Sequence, residues 1–189
     1  NTPLTEFDRR GVSQEPNNLT AIRALRIERA FRFGKNVDMI LTDNRSFQSQ
    51  PIDGAGLPSL DFGALPELAN DILEEGREYM GGAPATLRIG QTEIPNPQVN
   101  ATPQAYLGIE QMAWFKERLP AAHAPWKIWG HSFGTLTWRT DPQNLPPEFA
   151  ATWPSREYGV LNRSYVVEHR VIFGMVRDQG ITGLAIVVG

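Results

Sequence analysis

No cysteine occurs among the 189 residues, which removes disulfides, thiolate metal ligands and a cysteine nucleophile from consideration. Histidine is nearly as scarce. Its three copies, His123, His131 and His169, show neither HxH nor HExxH spacing, so a self-contained histidine-rich metal site is not expected. No apolar run reaches membrane length and the mean hydropathy is -0.33, which excludes a spanning helix. A positive excess is missing too. The net charge is -3 and the sequence pI about 5.7, disfavouring nonspecific binding to nucleic acid or anionic membranes. The chain opens Asn1-Thr2-Pro3 with no basic-then-apolar leader, so no signal peptide is expected within it.

Hydrophobic residues make up 41% and charged residues 21%, an ordinary globular mixture with enough material for one core. Residues 1–20 are polar and turn-rich. From Leu25 to Phe33, apolar and basic residues roughly alternate, as in a half-exposed strand. Gly34-Lys35-Asn36 signals a turn and Val37–Leu41 a second, more buried strand, giving a hairpin that ends in Thr42-Asp43-Asn44-Arg45. Polar groups at strand ends are where α/β sites lie, although a turn explains them equally well.

Residues 46–104 read as a loop-rich insertion. A helix is expected from Pro66 with Leu68, Ile72 and Leu73 at helical spacing, stopped by Gly81-Gly82, and a short strand at 86–89. Core elements resume at Gly108–Leu119, where Ile109, Met112, Phe115 and Leu119 are expected to share an apolar helix face. A buried strand from Pro125 to Trp129 follows, leading into Gly130-His131-Ser132, and then a Pro-rich loop. Tyr158, Leu161, Tyr165, His169, Ile172 and Val176 step as one long helix, with His169 a packed core residue. Leu184–Val188 is apolar on both alternating sets. It is expected at the centre of a sheet, covered on both faces and paired on both edges. The order is that of a layered α/β fold. Because the chain stops with that strand just complete, it is expected to be a piece of a longer protein.

Four stretches together resemble the alkaline phosphatase D family of metallophosphoesterases. These are Arg32-Phe33-Gly34 with Val37-Asp38-Met39-Ile40-Leu41-Thr42-Asp43-Asn44-Arg45-Ser46-Phe47, similar to that family's "FG…VD…LDTRxY"; Leu107–Phe115, similar to its "LGxxQxxWL"; Trp126–Ser132; and Trp153 with Arg156, the long helix and the terminal strand. The resemblance implies that residues 1–189 are a partial catalytic domain of a four-layer α/β/β/α sandwich hydrolysing phosphate esters. It implies metal ions, calcium and iron, whose ligands lie outside this chain, since the family's metal-binding "GDxH" would come after Gly189. It also implies an extracytoplasmic location and the remainder of the same polypeptide as partner.

Three site residues carry over at the rim or in support: Asp43, Arg45 and His131. Arg45 is expected either to hold a phosphate oxygen or to brace the site by a salt bridge to Asp43 or to a nearby loop. His131 either donates to a phosphoryl oxygen or is satisfied by backbone groups after its strand. Two alternatives stand beside this reading. Gly130-His131-Ser132-Phe133-Gly134 fits G-x-S-x-G, so Ser132 is a candidate hydrolase nucleophile, with Asp178 or Glu157 and His169 as partners. Otherwise the chain is a non-catalytic half whose apolar strand needs covering.

Overall fold

The structure, a computed structural model, describes residues 4–9, 11, 13–57, 64–135, 147, 158–160 and 165–189. Its elements in chain order are α1 (Pro16–Ala24), β1 (Arg29–Phe33), β2 (Val37–Leu41), β3 (Ala64–Pro66), α2 (Glu67–Glu75), β4 (Thr86–Ile89), β5 (Thr92–Pro95), α3 (Gly108–Arg118), β6 (Trp126–His131), β7 (Tyr158–Val160), α4 (Val166–Asp178) and β8 (Leu184–Val188). A short 3₁₀ segment, Gly76–Gly81, prolongs α2.

The expected hairpin forms, with β1 and β2 antiparallel and Phe33 opposite Val37. β6 lies parallel to β2, and β8 parallel to β6, giving a four-stranded sheet in the order β1-β2-β6-β8. Gly183 delivers the chain into β8 at φ +68, where a Cβ would stand 1.9 Å from the Pro125 carbonyl oxygen. Only glycine fits there.

Ile40, Trp129 and Ile186 stand side by side across β2, β6 and β8. They point to one face, which α3 and α4 cover with Phe115, Leu119, Ile172 and Met175. The inward stripe of α3 is rotated from the expected one. Leu107, Gln111, Phe115 and Leu119 are buried at four-residue steps, while Ile109 is 92% exposed. An apolar count places Gln111 outside, but its amide is fully used inside, as described below. The final helix also begins later than its periodicity suggests. Tyr158 belongs to β7, which pairs with β3, and α4 starts at Val166. Leu161, Trp153, Arg156 and the Pro-rich loop apart from Pro147 lie outside the described residues.

The second face of the sheet carries Phe31, Phe33, Val37, Met39, Leu41, Trp126, Ile128 and Val187, by strand alternation. No described element covers it, and Phe31, Phe33, Trp126 and Val187 are exposed. The described residues thus build one helical layer on one sheet, the α/β arrangement expected of a part of a layered sandwich. β8 departs from expectation. It pairs with β6 alone among the described strands, and Val187 and Val188 are more than half exposed. Apolar alternation reports what a strand can bury; here one edge and one face remain open.

Residues between the strands of the main sheet hold a second cluster. Ile52, Leu65, Ala69, Ile72, Leu73, Leu87 and Ile94 pack together, built on α2 and the β4–β5 hairpin. Leu68 points outward instead, 62% exposed. Ser49 and Ala105 exchange hydrogen bonds at the base of this segment, the Ser49 N–H to the Ala105 carbonyl at 2.8 Å and the Ala105 N–H to Ser49 Oγ at 2.9 Å. None of the helices among the described residues is long and apolar enough to cross a membrane.

Candidate active site

Because β2, β6 and β8 are parallel, their carboxyl ends meet on one side of the sheet. The Thr42 N–H donates to the Gly130 carbonyl at 3.2 Å, and Trp129 Nε1 donates to Thr42 Oγ1 at 3.0 Å, so the chains leave β2 and β6 in register. Asp43 then turns the backbone. Its Oδ1 accepts the Arg45 and Ser46 N–H groups at 2.9 and 3.0 Å, a side-chain turn that Asp makes readily. Burial pushes the Asp43 carboxyl up, but the bonds from Ser46 and Arg45 outweigh it and hold it below the usual carboxylate range. The expected salt bridge to Arg45 is not made. Arg45 is braced through its backbone, and its exposed guanidinium lies over the Phe133 ring with Cζ 4.9 Å from the centroid.

Asn44, 1% exposed, reaches across to the turn after β6. Its Oδ1 accepts the Ser132 N–H at 3.2 Å and the Ser132 hydroxyl at 3.1 Å. The N–H can only donate, so the amide orientation is set and Nδ2 faces away, with no partner.

His131 lies in the floor rather than at the rim. Its ring stacks on Trp129 with centroids 4.5 Å apart, and Tyr106, Phe133 and His169 complete an aromatic box at 5.0, 6.4 and 6.4 Å. Neither ring nitrogen has a hydrogen-bond partner among the described residues, so no described backbone group satisfies it. Burial, then the neighbouring charge of His169, pushes its pKa down to about 4, leaving a neutral imidazole at pH 7. His169 packs in the same box beside Tyr106, as its place on the apolar stripe suggests.

Two residues absent from the sequence-based candidates hold this floor together. Gln111, from the second turn of α3, bonds both sides of the Asp43 peptide and the Leu107 carbonyl. Glu168, from α4, accepts the N–H groups of Tyr106, Leu107 and Gly108 at 2.7, 2.9 and 3.1 Å, capping α3 from a distance. No side chain of α3's own N-terminus does so. Burial raises the Glu168 pKa, and the three backbone donors oppose that rise. A signal existed for Gln111 alone: a polar residue at a four-residue step from Leu107 and Phe115.

Ser132 does not meet the requirements of a nucleophile. Its hydroxyl donates to Asn44 and not to an imidazole, so among the described residues the serine-hydrolase alternative has no general base on Ser132 Oγ. Glu157 lies outside the described residues.

A family model described as PhoD-like phosphatase matches residues 7–189. The chain belongs to the PhoD-like phosphatase family. Among solved structures, one titled "Structure of PhoD" is similar, with a TM-score of 0.52 and 14% identity over 87% of this chain; at that identity it supports the fold alone. The chain spans 23% of that protein's length. No curated protein matches the sequence. The PhoD-like family implies metal ions, and the donor set bears on where they would sit. Among the described residues no three His, Asp or Glu side chains converge. Asp43 spends one carboxylate oxygen on backbone N–H groups, and His131 is enclosed by rings. These residues do not fit a metal centre on their own.

Proposed function

We propose that this chain supplies the phosphate-facing floor of a phosphoric ester hydrolase. The observation that carries the reading is Arg45. In a family of phosphatases, an exposed guanidinium stands at the carboxyl end of a parallel strand, its backbone held by Asp43 and its side chain lying over the Phe133 ring. A planar fork so placed suits two oxygens of a phosphate ester and neutralises charge developing on them. Asp43 fixes the turn that presents Arg45. His131, neutral and stacked, supports the floor beside it, and the second cluster around α2 flanks the entrance.

The catalytic metals proposed for the complete enzyme, calcium and iron, take their ligands from outside this chain. With that reading goes an extracytoplasmic location and a partner, the remainder of the phosphatase polypeptide, packed on the uncovered sheet face of Phe31, Phe33, Trp126 and Val187. Titration of the chain with inorganic phosphate, followed at the Arg45 guanidinium by NMR, tests the floor directly. A saturable shift at Arg45 that Arg45→Ala abolishes is expected. Phosphate that perturbs no residue near the strand ends defeats the reading.

A further inference from the structure

Three buried features of the strand-end floor are used by no step above: the Asn44 amide, the unpaired nitrogens of His131 and the Tyr106 hydroxyl. Asn44 alone connects two loops. It follows Asp43 directly and precedes Arg45, so its backbone belongs to the turn after β2, while its Oδ1 holds the main-chain N–H and the hydroxyl of Ser132 after β6. Ser132 is in turn the neighbour of His131, whose ring has no hydrogen-bond partner among the described residues and takes its place from the end of β6 and the rings around it. Where the chain leaves β6 at Ser132, Asn44 is the side chain that holds it. We propose that Asn44 is a positioning residue that locks the turns after β2 and β6 to one another, so that Arg45 and His131 present themselves as one rigid unit.

This assignment rests on the phosphate-floor reading for its purpose, but not for its geometry. The Thr42 hydroxyl, 3.3 Å from Asn44 Oδ1, adds a third contact and joins Trp129, the partner on which His131 stacks. Gln111 holds the same turn from the helix side, through Asp43. Thr42 reaches β6 itself, and Asn44 is the contact that reaches the turn after it.

The experiment compares the unsubstituted chain with Asn44→Ala, Asn44→Asp and Ser132→Ala. Amide exchange at Ser132 and the imidazole NMR signals of His131 are the readouts. Asn44→Ala should raise Ser132 amide exchange by about tenfold or more and shift the His131 signals, while methyl signals of Ile172 and Leu119 stay in place. Asn44→Asp keeps an acceptor oxygen and should restore Ser132 protection. Ser132→Ala keeps the backbone bond and should leave the His131 signals unmoved. Unchanged His131 signals in Asn44→Ala, or shifts spread evenly through the core, overturn the proposal. Should Asn44→Ala fail to fold, the unsubstituted chain still decides: a Ser132 amide exchanging like an open loop amide contradicts the lock. Phosphate titration at Arg45 is read separately, so loss of the phosphatase reading leaves these outcomes interpretable.

Discussion

Gln111 grips the Asp43 peptide from both sides, its Oε1 accepting the Asp43 N–H at 2.6 Å and its Nε2 donating to the Asp43 carbonyl at 2.7 Å. Both residues are buried, so neither bond can be replaced by bulk water. Gln111→Leu should therefore destabilise the chain by about 3 kcal/mol, the scale set by two main-chain groups left unsatisfied. A lowered denaturant midpoint with an unchanged slope would show it. Gln111→Glu sets a carboxylate against the Asp43 carbonyl, and should recover part of the loss at acid pH, where the protonated carboxyl donates again.

Glu168 does for α3 what a local cap does elsewhere. Glu168→Ala leaves the N–H groups of Tyr106, Leu107 and Gly108 without their acceptor and should cost about 2 kcal/mol. Amide exchange at these three positions should rise more than at Phe115 further along the helix. Gly108 sits at φ +72 with the Phe47 side chain 3.0 Å from where a Cβ would be, so Gly108→Ala should also loosen this terminus.

His131 gives the floor a pH dependence of definite sign. Its folded pKa, about 4, lies below the ordinary value of 6.5, so the unfolded chain binds the proton more readily. Stability from this group is complete above about pH 6.5 and is lost as pH falls toward 4, about 3 kcal/mol across that window. Asp43, whose pKa is lowered, adds a loss in the same direction at still lower pH. Melting temperature should fall between pH 6.5 and 4, and His131→Phe should flatten that slope. A melting temperature constant over the window would contradict a buried neutral imidazole.

Much of this architecture is legible in the residues. Turn chemistry at Gly34-Lys35-Asn36 and the apolar run Val37–Leu41 specify the hairpin locally, and it forms as expected. Asp43, Arg45 and His131 are recognisable as strand-end groups because strand direction follows from the element order. Less legible are contacts whose partners lie far apart in sequence. Gln111 and Glu168 are separated from the groups they hold by 68 and 62 residues, and each looks like a solvated helix position until the fold closes. Leu184–Val188 is less buried than its apolarity suggests for a related reason: sequence records a strand's apolarity but not whether a neighbour is there to cover it.

Arg45 is exposed and its guanidinium lies over the Phe133 ring, so Arg45→Ala should leave the melting temperature nearly unchanged. Phosphate affinity should drop regardless, and Arg45→Lys should recover little of it, since a point charge lacks the planar fork. Equal affinity in all three forms would return Arg45 to a structural role.

The central claim is that this strand-end floor serves phosphate ester hydrolysis, and turnover tests it most directly. Hydrolysis of p-nitrophenyl phosphate and bis(p-nitrophenyl) phosphate should be measured for the phosphatase polypeptide containing this chain, with and without Arg45→Ala. The account predicts turnover that falls on the order of 10²-fold in the variant at unchanged melting temperature. Absence of phosphate ester hydrolysis, or the same rate in both forms, would contradict it.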